Sequence, residues 1–99
     1  MRLSEHDRLA IRRVTAEVAG AGARVYLFGS RTDDELKGGD IDLLVELAAP
    51  TADHLAISLR TSAKLQWAIG ERKVDVIVAD PASPETAILR RARLEGIPL

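Results

Sequence analysis

The stretch LFGSRTDDELKGGDIDLLVEL, residues 27–47, decides the fold because it joins two predicted strands through a polar loop. RVYLF at residues 24–28 is rich in β-branched and aromatic residues, which predicts a strand ending at Gly29-Ser30. Residues 31–39 are polar and end in two glycines, which predicts a loop or a short helical turn. DIDLLVEL at residues 40–47 predicts a second strand, although Asp is normally depleted in strands.

Acidic residues inside strand patterns are the main chemical signal of the sequence. Side chains two apart share a strand face, so Asp40 and Asp42 lie on one face and Ile41 on the other. KVDVIVA at residues 73–79 predicts a third strand with Asp75 on the face opposite its valines. If the two strands pair, three carboxylates converge and repel one another unless a cation neutralises them. An all-oxygen ligand set indicates a hard ion, most naturally Mg²⁺.

Gly29 and Ser30 form the second chemical signal, since they directly follow a strand. Glycine lets the backbone approach a phosphate closely, and exposed amides with a serine hydroxyl can hold phosphate oxygens. A three-carboxylate magnesium site beside a phosphate-binding turn suits phosphoryl or nucleotidyl transfer, in which two ions flank the reacting phosphorus. The sequence therefore predicts a site that binds phosphate groups and transfers a phosphoryl or nucleotidyl group.

Along the chain, helices are predicted before, between and after these strands. Ser4 is a candidate N-cap for a first helix that ends at Gly20. A second helix is predicted from Thr51 to about Ile69 and is closed by Gly70. Its predicted apolar face consists of Leu55, Leu59 and Ala63.

A third helix is predicted to begin at Ser83-Pro84 and to end before Gly96 as a C′ residue. Its predicted apolar face consists of Ile88, Leu89 and Ala92. The element order predicts an α+β fold, with a small mixed sheet of about three strands and helices packed on one face. No linker or repeat divides the chain, so residues 1–99 are predicted to form a single domain.

Composition excludes several classes of protein. The 99 residues carry a net charge of -1, which argues against direct nucleic-acid binding because such binding favours a basic excess. No apolar run approaches the roughly 20 residues of a membrane helix, and no signal peptide is visible. The absence of cysteine excludes disulfides and thiolate metal sites and fits a cytoplasmic location. His6 and His54 are predicted to be surface residues.

Residues 27–47, followed by KVDVIV at 73–78, resemble the minimal nucleotidyltransferases of the polymerase-β-like nucleotidyltransferase superfamily. The resemblance implies that Asp40 and Asp42 ligate Mg²⁺, with two ions expected, and that Asp75 is the third carboxylate, which orients or deprotonates the acceptor hydroxyl. It also implies that Gly29 and Ser30 bind the triphosphate of ATP. Nine residues separate Ser30 from Asp40, one fewer than in many members, and Gly39 stands where those members usually have Ser.

One further residue and a partner complete the expectation. Arg31 is a candidate contact to the triphosphate, with a solvated arginine or one paired with Asp33 as the alternative. Minimal nucleotidyltransferases often pair with small helical HEPN-type proteins in type VII-like toxin–antitoxin systems, so an antitoxin that adenylylates a tyrosine of a HEPN-type toxin is expected. A homo- or hetero-oligomer is compatible with this. The alternatives are a non-catalytic binding module that masks a helical partner and a small-molecule nucleotidyltransferase.

Overall fold

The computed structural model of the protein describes residues 3–28, 41–70 and 73–99. Its elements are α1 Glu5–Ala19, β1 Arg24–Phe28, β2 Ile41–Glu46, α2 His54–Ile69, β3 Val74–Ala79, α3 Ala87–Glu95 and β4 Ile97–Pro98. The α+β class and the three predicted strands are confirmed, and a two-residue edge strand, β4, adds a fourth. Among the helices described, none is long and apolar enough to cross a membrane.

The sheet is mixed, with the strand order β3-β2-β1-β4. β1 runs antiparallel to both neighbours, whereas β2 and β3 are parallel and are connected through α2. A parallel pair requires a long crossover, and a helix is the usual solution. The crossover fixes which ends of β2 and β3 lie side by side, and this arrangement positions the acidic residues discussed below.

One face of the sheet, here called the helical face, packs against α1 and α2. Alternate residues of β2 point toward these helices, and Ile41, Leu43 and Val45 have no solvent exposure. The core on this side is entirely aliphatic apart from small polar groups. Its other buried members are Ala10, Ile11, Val14, Val25, Leu27, Leu47, Leu65, Ile69 and Val74.

The opposite face, here called the acidic face, carries Asp42 and Asp75 and is only partly covered. Leu89 and Ala92 of α3 pack there on Phe28 and Leu44, in a second and smaller core. The prediction that all helices lie on one face is therefore wrong for α3. Helical periodicity identifies an apolar stripe but does not indicate which face of a sheet the stripe will cover.

The predicted boundaries of α1 are confirmed, while those of α2 and α3 shift. Ser4 caps α1 by accepting a hydrogen bond from the Asp7 backbone N–H at 3.0 Å. The N-cap of α3 is Thr86 rather than Ser83, because the Ser83 hydroxyl instead accepts a hydrogen bond from the Asp80 backbone N–H. The N-cap of α2 is Asp53 rather than Thr51, whose own N–H donates to the Asp80 carboxylate.

The apolar face predicted for α2 is also wrong. Leu55 and Leu59 are 71% and 62% exposed, and Ala63 is exposed as well. The stripe that packs on the sheet lies on the other side of the helix and contains Thr61, Leu65 and Ile69. In α3, Ile88 is similarly exposed while Leu89 and Ala92 are buried.

Gly96 follows α3 in an extended conformation, with φ at −66°, and not in the left-handed conformation expected of a C′ glycine. Glycine is needed there for close packing. A Cβ atom at this position would collide with the carbonyl oxygen of Ala92 and would lie 3.1 Å from the Cβ of Tyr26.

The outer edge of β3 is partly covered by α2. The Ser58 hydroxyl donates to the carbonyl of Val76 at 2.8 Å, and the Ser62 hydroxyl donates to that of Val74 at 3.1 Å. An unpaired strand edge is a template for unwanted pairing, and these side chains occupy two of its acceptors. The same bonds hold α2 against the strand that carries Asp75.

Candidate active site

Asp42 and Asp75 lie side by side on the two parallel strands. They are direct register partners, Asp42 on β2 and Asp75 on β3, and strand alternation places both on the acidic face. Neighbouring strands are about 4.8 Å apart, which brings the two carboxylates within reach of one ligand. Asp42 is half-buried and Asp75 is exposed, so the pair is accessible from solvent.

The register beside this pair is fixed by the backbone. The Ile41 N–H donates to the Lys73 carbonyl at 2.8 Å, one residue before Asp42 and two residues before Asp75. The register partners Ile41 and Val74 are buried on the helical face. A shift of one residue in the pairing of β2 with β3 would turn these aliphatic side chains toward solvent. The aliphatic core on one face thus determines the positions of the carboxylates on the other.

The end of β1 flanks the same pair. Phe28 is the antiparallel register partner of Asp42, and the chain continues from Phe28 into Gly29 and Ser30. Gly29, Ser30, Arg31 and Asp40 themselves lie outside the described residues. Of the predicted site residues, the structure therefore brings Asp42 and Asp75 together and describes the strand that leads to the predicted phosphate loop.

The donor set of this pair fits a hard cation. Two carboxylates on adjacent strands, open to solvent, supply only oxygen atoms, as Mg²⁺ prefers. Across residues 3–28, 41–70 and 73–99, no group of three His, Cys, Asp or Glu side chains comes together as a metal site. The third predicted ligand from β2, Asp40, precedes the first described residue of that strand.

α3 forms one wall beside the acidic pair. Its Leu89 and Ala92 cover Phe28 and Leu44, the neighbours of Asp42 on the same face. Farther along β2, Glu46 accepts a hydrogen bond from Arg93 Nε at 2.7 Å, and Arg93 also binds Glu85 at 2.7 Å. The hydrogen bond to Glu46 raises the pKa of Arg93. Glu46 therefore anchors α3 and lies apart from the acidic pair.

A histidine–aspartate contact at the far end of β3 was missed in the sequence interpretation. His54 Nε2 lies 2.6 Å from Asp80 Oδ2, and Asp80 also accepts hydrogen bonds from the backbone N–H groups of Thr51 and Ala82. The Thr51 bond, followed by the His54 contact, lowers the pKa of Asp80 from 3.8 to about 2.

Asp80 is buried, and this cluster joins α2 to the turn after β3. The prediction that His54 is simply a surface residue is therefore incomplete. The Asp-Pro-Ala-Ser sequence at residues 80–83, typical of an Asx turn, is the signal that could have revealed the cluster.

Comparisons with known proteins identify the family and agree with the fold. The model of the family described as nucleotidyltransferase domain matches residues 10–96. A chain from the crystal structure of a mutant MntA-HpeT toxin–antitoxin complex is 23% identical at a TM-score of 0.64, covering 93% of this chain and 69% of that one. A chain from a toxin–antitoxin complex with AMP-PNP is 22% identical at a TM-score of 0.66, covering 97% and 72%. A comparison with curated proteins found no match.

Proposed function

We propose that this chain, which belongs to the nucleotidyltransferase domain family, transfers AMP from ATP to a tyrosine hydroxyl of a helical HEPN-type toxin, as its antitoxin. The observation that carries the proposal is the direct pairing of Asp42 with Asp75 on an exposed part of the sheet. Two acids in register on parallel strands, where Asp is disfavoured, fit a site for a cation and a phosphate.

Asp42 and Asp75, together with Asp40, would hold Mg²⁺, and two ions are expected. When bound, the ions neutralise charge on the phosphates and lower the pKa of an attacking hydroxyl. Asp75 is the more exposed member of the described pair, so it is the one accessible to an acceptor that arrives from another molecule. We assign Asp75 to orienting that acceptor.

The proposed reaction forms one bond to the α-phosphorus and breaks another. The tyrosine oxygen attacks the α-phosphorus of ATP, the bond from that phosphorus to the bridging oxygen breaks, and pyrophosphate leaves. Asp75 accepts the phenolic proton and passes it to water. A phenol has an unperturbed pKa of about 10, so a carboxylate beside it assists attack at neutral pH.

Gly29, Ser30 and Arg31 are proposed to bind the triphosphate. Support comes from Phe28, which immediately precedes them and is the register partner of Asp42. The chain therefore leaves β1 beside the acids, where a bound nucleotide would need phosphate contacts. Backbone amides and a serine hydroxyl suit the β- and γ-phosphates, and an arginine can add charge.

The role as an antitoxin is supported by the two similar solved structures. Both are toxin–antitoxin complexes, and one of them contains AMP-PNP, an ATP analogue. The described part of this chain forms one sheet and three helices, and its acidic face is open to an acceptor supplied by a partner protein. We propose a cytoplasmic location for the pair.

Label transfer from α-labelled ATP tests the proposal. With a co-expressed helical partner protein as acceptor and Mg²⁺ present, the wild-type chain should label the partner, and chelator should abolish the labelling. Asp42→Asn and Asp75→Asn should each remove most of the transfer. Asp53→Asn is the matched control, because Asp53 is an exposed N-cap whose side chain makes no capping bond. Labelling that persists in the Asp42→Asn, Asp75→Asn double variant would contradict the assignment.

A non-catalytic binding module is the second candidate function. The observation in its favour is a line of exposed apolar residues on α2, which includes Trp67 at 92% exposure. Such a module would mask a partner without using ATP. It predicts that the double variant still neutralises the partner in cells, whereas the proposed transferase predicts that neutralisation is lost together with labelling.

A further inference from the structure

α2 carries two apolar stripes on opposite sides. Ile57, Thr61, Leu65 and Ile69 face the sheet. Leu55, Leu59, Ala63 and Trp67 repeat at the same four-residue spacing but are displaced by two residues, which is about 200° around a helix. These four residues are here called the docking stripe. Leu55, Leu59 and Trp67 are 71%, 62% and 92% exposed, whereas a surface helix normally has one apolar face.

The shape of this surface fits another helix. The docking stripe extends over 12 residue steps, which is about 18 Å. Ala56 and Ala63 beside the leucines are exposed and small, so they leave grooves that a facing helix can fill. Next to Trp67, a cavity of about 330 Å³ opens between α1 and α2, lined in part by Arg13, Glu17 and Lys64.

The charge of this surface selects the partner. α2 contains Arg60 and Lys64 and no Asp or Glu. Lys64 shares Glu17 with Arg13, since their nitrogen atoms lie 3.4 Å and 3.8 Å from its carboxylate oxygens. Two cations therefore face one acid, and Arg60 adds a further positive charge on α2. A second copy of the chain would bring the same cations together across the interface, which is unfavourable. An acidic partner would relieve that excess.

We infer that the docking stripe receives an amphipathic helix of a partner protein, whose apolar stripe is flanked by Asp or Glu. Its leucines would pack between Leu55 and Leu59, a larger side chain would enter the cavity beside Trp67, and its acids would pair with Arg60 and Lys64. In equating this partner with the helical acceptor, the inference rests on the proposed function. The surface and its charge are independent of that function.

Fluorescence of Trp67 provides the test, because it is the only tryptophan in the chain and is almost fully exposed. The probe is a synthetic helical peptide of about 18 Å, with leucine at every fourth position, flanking glutamates and no tryptophan. A companion peptide carries lysine in place of each glutamate. The glutamate peptide should shift the Trp67 emission to the blue in a saturable manner, and the lysine peptide should bind at least about tenfold more weakly.

Three variants locate the contact. Leu59→Gln should weaken binding of the glutamate peptide by about tenfold or more, because the burial of one leucine is lost. Leu94→Gln is the matched control, since Leu94 is 80% exposed but belongs to α3 on the other face of the sheet, and its binding should be unchanged. Arg60→Glu should reverse the preference between the two peptides.

Several results would overturn the inference. The first is that the glutamate and lysine peptides bind equally well. The second is that Leu59→Gln and Leu94→Gln lose affinity for the glutamate peptide equally. The third is that neither peptide binds and the wild-type chain forms a dimer that Leu59→Gln dissociates. A blue shift with anionic vesicles but with neither peptide would indicate a membrane instead. Peptide binding without AMP transfer would refute the proposed function alone, and AMP transfer without peptide binding would refute the docking stripe alone.

Discussion

The two faces of the sheet differ in their side chains, although adjacent residues of one strand supply both. On β2, Leu43 is fully buried beneath α1 and α2, while its neighbour Asp42 turns to the opposite face and remains half-buried. The helical face consists of close-packed aliphatic side chains, which fix the register. The acidic face is covered by α3 only in part, and its open part displays Asp42 and Asp75 in register. The alternation of a single strand thus separates the side chains that pack the core from the carboxylates that are proposed to bind a cation.

The largest effect should come from breaking the helical face. Leu43→Ala should lower the free energy of unfolding by about 2–5 kcal/mol, because it removes buried methyl groups and leaves a cavity. Asp42→Asn on the same strand should cost clearly less, because it keeps the size of the side chain and leaves no cavity. Urea denaturation of both variants gives the comparison. A cost for Asp42→Asn equal to that of Leu43→Ala would show that the two faces are not separate in function.

Gly96→Ala probes how closely the chain after α3 approaches the sheet. The added Cβ would collide with the Ala92 carbonyl oxygen and crowd Tyr26. We expect a loss of about 1–3 kcal/mol in the free energy of unfolding, from the cost of overpacking. The measurement is again urea denaturation. An unchanged midpoint would mean that α3 is not held as tightly as the structure shows.

The buried Asp80 at the end of β3 should make the stability of the protein depend on pH. Its hydrogen bond from the Thr51 N–H and its contact with His54 lower the pKa of Asp80 to about 2. Because the folded protein favours the Asp80 carboxylate, its contribution to stability is complete above pH 3.8 and is lost as the pH falls toward 2. Asp80→Asn should therefore be less stable than wild type at pH 6, with a difference that shrinks below pH 3.8. Thermal melts across this range check it, and a constant difference would contradict it.

The smallest expected effect is an increase in the free energy of unfolding. Thr61 is fully buried on the helical face, and its hydroxyl has no hydrogen-bond partner in the described structure. Thr61→Val keeps the shape and removes the unsatisfied group, so the free energy of unfolding should rise by about 1 kcal/mol. Thr61→Ser, which keeps the hydroxyl and loses a methyl group, should lower it. A Val variant less stable than wild type would imply a partner for the hydroxyl.

Much of the fold follows from local patterns in the sequence. Three strands were predicted within two residues of their observed ends because alternation and turn residues are local signals. The juxtaposition of Asp42 and Asp75 was predicted only on the condition that their strands pair, and the structure meets that condition.

The errors concern choices that depend on distant parts of the chain. α2 has two apolar stripes of similar character, and periodicity cannot decide which one meets the sheet. Ser83 and Thr86 are both residue types that favour the N-cap position. The Ser83 hydroxyl accepts a hydrogen bond from the Asp80 backbone N–H, so Thr86 is the residue that caps α3. Residues 80–83 give a local signal for the turn at Asp80, but the pairing of Asp80 with His54 spans 26 residues and has no local signal.

The most direct test of the central claim is the melting temperature in the presence of ATP and Mg²⁺ together. At a hundredfold excess over the dissociation constant, binding adds about 2.7 kcal/mol, which for a domain of this size is roughly 10 °C or more. We predict this rise for wild type and for Asp53→Asn, little rise with Mg²⁺ alone, and none for Asp42→Asn. An equal rise in Asp42→Asn and in wild type would contradict the assignment of the acidic face as the nucleotide site.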